Sequence, residues 1–324
     1  NRPPDGIHFI RQSDSFAFLL NYYFFDNSFW APENFNLLSP EGKAASEFPL
    51  LYYLGAVLAK TGLNPRVILR VLHTSVFLIG SQLFFMRLYR TTSHFFISAA
   101  LTLLTIGSTI IVYYSNNFLP DIAALGFTFT ALYYFLKPDK QNSDFLWAFA
   151  LFGLASLIKI TYAIYPLAAA GSFLFSQKST PGKFKKAGII AATFIIIGSW
   201  WAYVHFYNEA VQNTYFFNRS IPIWKTNLVD IQRTSDLILN YWRNSYYPET
   251  TQWLIIASFL VVIFKLKKLS LESRNLLLFS SLGCIAYILL FYMKFADHDY
   301  YFMVLVPLIG ILFANFTEII LHYK

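Results

Sequence analysis

Long apolar runs, set apart by short polar loops, leave this chain few folds to choose from. They occupy residues 67–87, 95–114, 119–136, 145–158, 161–176, 187–206, 252–264, 275–293 and 301–321. A helix needs roughly 20 mainly apolar residues to cross a bilayer, and several runs meet that length. Two shorter ones, 145–158 and 161–176, read as a tight hairpin or a broken pair. Charge separates a membrane chain from a soluble helical one. Asp, Glu, Lys and Arg make up 13% of the 324 residues, against about 25% in a soluble domain. The sequence is therefore expected to fold as an all-α polytopic membrane protein with about nine or more transmembrane helices.

The loops orient it. "RLYRTTSH" (87–94), "KPDKQNSD" (137–144), "QKSTPGKFKK" (177–186) and "KLKKLSLESR" (265–274) hold nearly all the short-loop Lys and Arg. They alternate with a second set of loops, and the positive-inside rule makes them cytoplasmic. The net charge of +8 belongs to these anchors and not to a nucleic-acid partner. Four segments follow: an extracytoplasmic first loop 1–65, core transmembrane helices 66–206, a long extracytoplasmic loop 207–251 and C-terminal transmembrane helices 252–324. Within the first, "PLLYYLGAVLAK" is too short to span easily and fits an interfacial or re-entrant helix. "NRPPDG" reads as a loop entered from an upstream helix outside the numbered chain. No Gly-rich phosphate loop is present, the basic loops are too short for a nucleotide site, and the single Cys284 rules out an intrachain disulfide.

The polar residues that call for an explanation gather on the extracytoplasmic side: Arg11, Asp14, Glu47, Asp121, Lys159, His298 and Asp299. In "HFIRQSDSFAFLLNYYFF", Asp14 sits in aromatic surroundings that raise a carboxylate's pKa and its usefulness as a base. Arg11, one helical turn earlier, keeps it ionised, or the two form a plain surface ion pair. Glu47 precedes a Pro-led helix and suits either the helix dipole or a site. Asp121, after Pro120, suits a cap or the mouth of a site. Lys159 lies between two apolar runs, where a charge must be paired, snorkel outward or hold a phosphate. Arg70 lies one turn into a span and pairs with a carboxylate or snorkels. "KFADHDYYF" sets Lys294, His298, Asp299 and Tyr300 before the final run. No set of His, Cys and carboxylates at ligand spacing supports a metal, and no cofactor is expected.

Together "RQSDS" and, some thirty residues on, "EFPLLYYL" resemble the bacterial members of the protein O-mannosyltransferase and aminoarabinose lipid A transferase superfamily, membrane glycosyltransferases of the GT-C fold. "PD" at 120–121, Leu154, Ala155, Leu157 and Lys159, and "HDYYF" are similar to later motifs of that family. The resemblance implies a GT-C-like bundle with short interfacial helices in its outer loops. It also implies a sugar donor on a polyprenyl phosphate, a lipid, glycan or protein acceptor, and a site on the outer face of a bacterial inner membrane. The first-loop Asp of the family, which acts as or orients the base, falls on Asp14. Where the eukaryotic enzymes carry an Asp-Glu pair, Ser15 stands here, so the acceptor is left open.

Chemistry then assigns provisional roles. One base suffices for a single in-line displacement with inversion, and the phosphate leaving group needs its charge met. Asp14 is the base. Lys159, His298, Arg70 and Arg11 are candidates to meet the phosphate, with Glu47, Asp121, Asp299 and Tyr300 as further substrate-binding candidates. A transporter or flippase places its polar groups nearer the bilayer midplane, often on repeated halves, and a polysaccharide polymerase or ligase shares the lipid-linked donor. Both stand as alternatives.

Overall fold

The computed structural model describes residues 2–35, 40–138, 140–176, 182–213 and 220–321. Within them the chain is helical, with a single isolated bridge between Glu33 and Lys43. In order the helices are α1 (Phe9–Phe25), α2 (Leu50–Ala59), α3 (Pro65–Thr92), α4 (Phe95–Ile106), α5 (Thr109–Ser115), α6 (Asp121–Phe135), α7 (Asn142–Ile158), α8 (Ile164–Ser176) and α9 (Lys183–Ala210). They continue as α10 (Leu228–Leu237), α11 (Arg243–Tyr246), α12 (Glu249–Phe264), α13 (Leu271–Phe291), α14 (Lys294–Asp297) and α15 (Val306–Leu321).

Local chemistry sets the ends. Asn64 caps α3 by accepting from the Arg66 N–H at 3.0 Å, with Pro65 in the first helical position, where a missing N–H costs nothing. Ser270 caps α13 in the same way, from Ser273 at 3.1 Å.

The four basic loops come together at one end of the bundle. Lys140 pairs with Glu272 at 2.7 Å, Asn275 donates to Ser176 at 3.0 Å, and Glu318 accepts from Ser270 and Ser273 at 2.8 and 2.7 Å. Arg90 lies 5.3 Å from the Tyr133 ring centroid at the end of α6. Residues 177–181, inside the third basic loop, lie outside the described residues.

Among the described residues four helices are long and apolar enough to cross a membrane alone, Pro65–Thr92, Lys183–Ala210, Leu271–Phe291 and Asp299–Ile320, or up to six if each of two bent pairs is one span. The other apolar helices are shorter. The run 95–114 is not one rod: it bends by 80° between α4 and α5. Gly107 and Ser108 stand at the break, and both are weaker helix formers than the leucines around them. The segment 207–251, expected as loop, carries the end of α9 and then α10 and α11, joined by a π-helical turn at Ile238–Trp242 and set 91° from α12.

Helices α3 and α6 approach backbone to backbone. A Cβ at Gly126 would stand 2.5 Å from the Val76 carbonyl oxygen, and one at Gly80 would stand 2.1 Å from the Gly126 oxygen. Such contact replaces the hydrophobic drive that lipid cannot supply. Gly126→Ala should therefore cost about 1–3 kcal/mol, read as a lower unfolding midpoint in detergent. An unchanged midpoint would show that the helices part freely.

Helix α1 lies across α2 and α3. Phe16, Phe18, Leu19 and Tyr22 on its buried face join Tyr52, Ala56, Leu69 and Phe118 in a core separate from the main bundle. The same face carries Gln12, Asp14 and Ser15. Outward-facing Leu78, Ile79, Leu103, Phe175, Ile195 and Leu278 are exposed, which suits a surface solvated by lipid.

Candidate active site

Opposite the basic end, α1, the 43–48 loop, the α7–α8 junction and the segment before α15 enclose a cavity of about 570 Å³. Its walls include His8, Arg11, Asp14, Ser46, Glu47, Lys159, Thr161, Trp201, Lys294, His298, Tyr300 and Tyr301. Of the nine residues singled out from sequence, Arg11, Asp14, Glu47, Lys159, His298 and Tyr300 face it.

Asp14 is 7% exposed on the buried face of α1. Arg11 reaches Glu47, 36 residues away, with Nη2 donating to Oε1 at 2.6 Å. Glu47 also accepts from Tyr52 at 2.6 Å and from Ser46. Burial alone would push the Glu47 carboxyl up, but the Arg11 charge and these two donors outweigh it and hold the pKa at about 2. Glu47 does not cap α2; Pro49 takes that position, and the 43–48 loop is stapled down instead. Asn208 exchanges two hydrogen bonds of 2.8 Å with the Ala45 backbone, the Trp200 indole donates to the Ser46 carbonyl at 3.2 Å, and the Phe48 N–H donates to Leu157 O at 2.9 Å.

Asp121 opens α6 without a side-chain cap and is fully buried. Lys159 Nζ stands 3.1 Å from its Oδ1. The backbone explains how Lys159 gets there. It is the extended residue, φ −147°, between the end of α7 and the 3₁₀ turn Ile160–Ala163, so its side chain points back to α6 instead of snorkelling away. Its ammonium lies 5.3 and 5.7 Å from the Tyr300 and Tyr301 ring centroids, within cation–π range.

Asp299 sits behind the wall. Its Oδ1 accepts from His8 Nε2 at 3.0 Å and from the Tyr114 hydroxyl at 2.7 Å. His8 packs edge-on to Tyr300, ring centroids 4.9 Å apart. His298 is pushed down to about 4 by burial and then by neighbouring His8 and Lys294, so it is neutral near pH 7. Arg70 is placed elsewhere. It donates to the Arg2 carbonyl at 2.8 Å and stacks 4.4 Å over Phe118, away from the cavity. His8, Ser46, Trp201 and Lys294 line the site without having been singled out as site residues. Among the described residues no three His, Cys, Asp or Glu side chains gather as a metal site.

A second, apolar groove of about 380 Å³ runs between α8 and α13, lined by Ile164, Leu167, Phe279, Gly283, Tyr287 and Leu290 among others. It adjoins the polar cavity: Ile160, Thr161 and Phe291 line both.

Residues 49–203 match the family model described as dolichyl-phosphate-mannose-protein mannosyltransferase. Two crystal structures of ArnT from Cupriavidus metallidurans are similar to the chain, each at 15% identity. The apo form gives a TM-score of 0.58 over 94% of this chain and 54% of that one. The form bound to undecaprenyl phosphate gives 0.59 over 95% and 55%. The chain thus spans about half the length of the structures it matches. Among curated proteins, none matches. The chain therefore shares the GT-C membrane fold of these structures, and its segment 49–203 is similar to the dolichyl-phosphate-mannose-protein mannosyltransferase family.

Proposed function

We propose that the protein transfers a sugar from a polyprenyl-phosphate donor to an acceptor at the extracytoplasmic membrane face. The observation that carries this reading is the junction of two unlike spaces, a charged cavity holding a nearly buried Asp14 and an apolar groove open beside it. An amphipathic substrate fits both at once, with its isoprenoid tail in the groove and its sugar in the cavity. The ArnT structure bound to undecaprenyl phosphate supports the lipid-phosphate class.

Asp14 takes the proton of the acceptor hydroxyl as that oxygen attacks the anomeric carbon, and the phosphate departs from the opposite face with inversion. Side-chain cations meet the growing phosphate charge, so the reading needs no metal. Glu47, kept ionised by Arg11, is an acceptor of hydrogen bonds at neutral pH and suits sugar hydroxyls. A transporter would also bind amphipathic cargo. Incubating the purified protein with a labelled polyprenyl-phosphate sugar separates the two: release of polyprenyl phosphate with loss of label from the lipid supports transfer, and intact donor speaks for transport.

The orientation has its own test. Cysteines at exposed Ser13 and Asn244 should react with an impermeant thiol reagent added to spheroplasts, and one at exposed Lys185 should not. The basis is the single basic end of the bundle. Labelling at 185 from outside would reverse the faces.

A further inference from the structure

Among the described residues three Lys and Arg side chains line the cavity, and two are committed. Arg11 is paired with Glu47 at 2.6 Å and Lys159 with Asp121 at 3.1 Å. Lys294 lines the same cavity and has no ion pair among the described residues. Three buried polar atoms able to donate, on cavity-lining residues, are likewise without a hydrogen-bond partner among the described residues: Thr161 Oγ1, His298 Nδ1 in its protonated tautomer and Arg11 Nη1. Buried donors are rarely left unpaired in folded proteins, because a lost hydrogen bond to water is not repaid. Several on one cavity call for a ligand that is all acceptors.

Position narrows the ligand further. Thr161 and Phe291 line both the polar cavity and the apolar groove, and Lys294 follows Phe291 by three residues. The free cation and the unpartnered hydroxyl therefore stand where the two spaces meet. In a lipid-linked sugar, the group between the apolar tail and the sugar is the phosphate. We infer that Lys294, Thr161 and His298 form the phosphate subsite, with Lys294 its principal charge. This deepens the transferase reading and rests on it.

The remaining details agree. An ammonium supplies a compact charge with three donors and tolerates a phosphate that moves away as its bond to the sugar breaks. Neutral His298 donates one N–H without adding charge. Lys159, drawn to Asp121, builds the wall and holds Tyr300 and Tyr301 in place, while Lys294 grips the ligand.

The test compares binding of undecaprenyl phosphate and of undecaprenol, which lacks the phosphate, to the purified full chain in nanodiscs. Wild type should prefer the phosphate. Lys294→Gln should lose roughly 10- to 100-fold in affinity for undecaprenyl phosphate, the scale of one hydrogen bond to a charged group, and none for undecaprenol. Thr161→Val should show a smaller loss of the same kind. Lys267→Gln, at the basic end, should change neither. Equal losses for both lipids in Lys294→Gln, or no loss in either, would overturn the subsite. If wild type itself does not distinguish the two lipids, the lipid-phosphate reading fails instead. That outcome is distinct, since it appears before any substitution.

Discussion

Asp14→Asn should lower sugar transfer by at least roughly 10²-fold, the usual scale for losing a general base, while binding of undecaprenyl phosphate stays at the wild-type level. The substitution keeps the size of the side chain and most of its hydrogen bonding, so α1 should stay packed on α2 and α3. Only the capacity to accept a proton goes. Asp26 gives the matched control. It closes the same helix in a left-handed conformation, φ 50°, exposed and paired with Lys60. Asn tolerates that conformation well, and an exposed pair contributes under about 1 kcal/mol, so Asp26→Asn should transfer normally. Rates at saturating donor for both variants, measured beside lipid binding, decide the matter. Near-normal turnover in Asp14→Asn would remove the base from the mechanism and leave the fold untouched.

The same helix shows how far the sequence could be read. Its apolar face and its motif were visible because both are local: "RQSDS" on one turn, then Phe and Leu at helical spacing. The partner of Arg11 was not, since Glu47 lies 36 residues on and the pair exists only once the 43–48 loop is stapled to α9. His8 stood beside Arg11 in plain view, but its meaning depends on Asp299, 291 residues away. The alternation of basic loops was legible because each carries its own charge, and the structure gathers all four at one end. The bend between α4 and α5 had only the weak signal of Gly107 and Ser108 inside an otherwise apolar run. Lys294 resembled any basic residue near a helix end. It becomes distinctive only when the other two cations in the cavity are found to be paired.

Lys159→Ala should destabilise the protein by about 3–5 kcal/mol, because removing one partner of a buried ion pair leaves the other charge stranded. The side chain of Asp121 is 1% exposed, and that of Lys159 is 17% exposed. Sequence alone allowed Lys159 to snorkel, to pair or to hold a phosphate, and each reading now gives its own result. A snorkelling lysine would leave the unfolding midpoint unchanged. A phosphate ligand would leave it unchanged without lipid and weaken binding of undecaprenyl phosphate. The ion pair lowers the midpoint of the lipid-free protein, and it makes a further prediction that the others do not. Replacing both partners, Lys159→Met with Asp121→Asn, removes the stranded charge along with its counterion, and such paired neutral replacements are often nearly neutral or better. The double variant should therefore recover most of the stability lost by Lys159→Ala. Losses that add, with the double variant less stable than either single one, would show that the two residues act separately and that the wall of the cavity is held by other contacts.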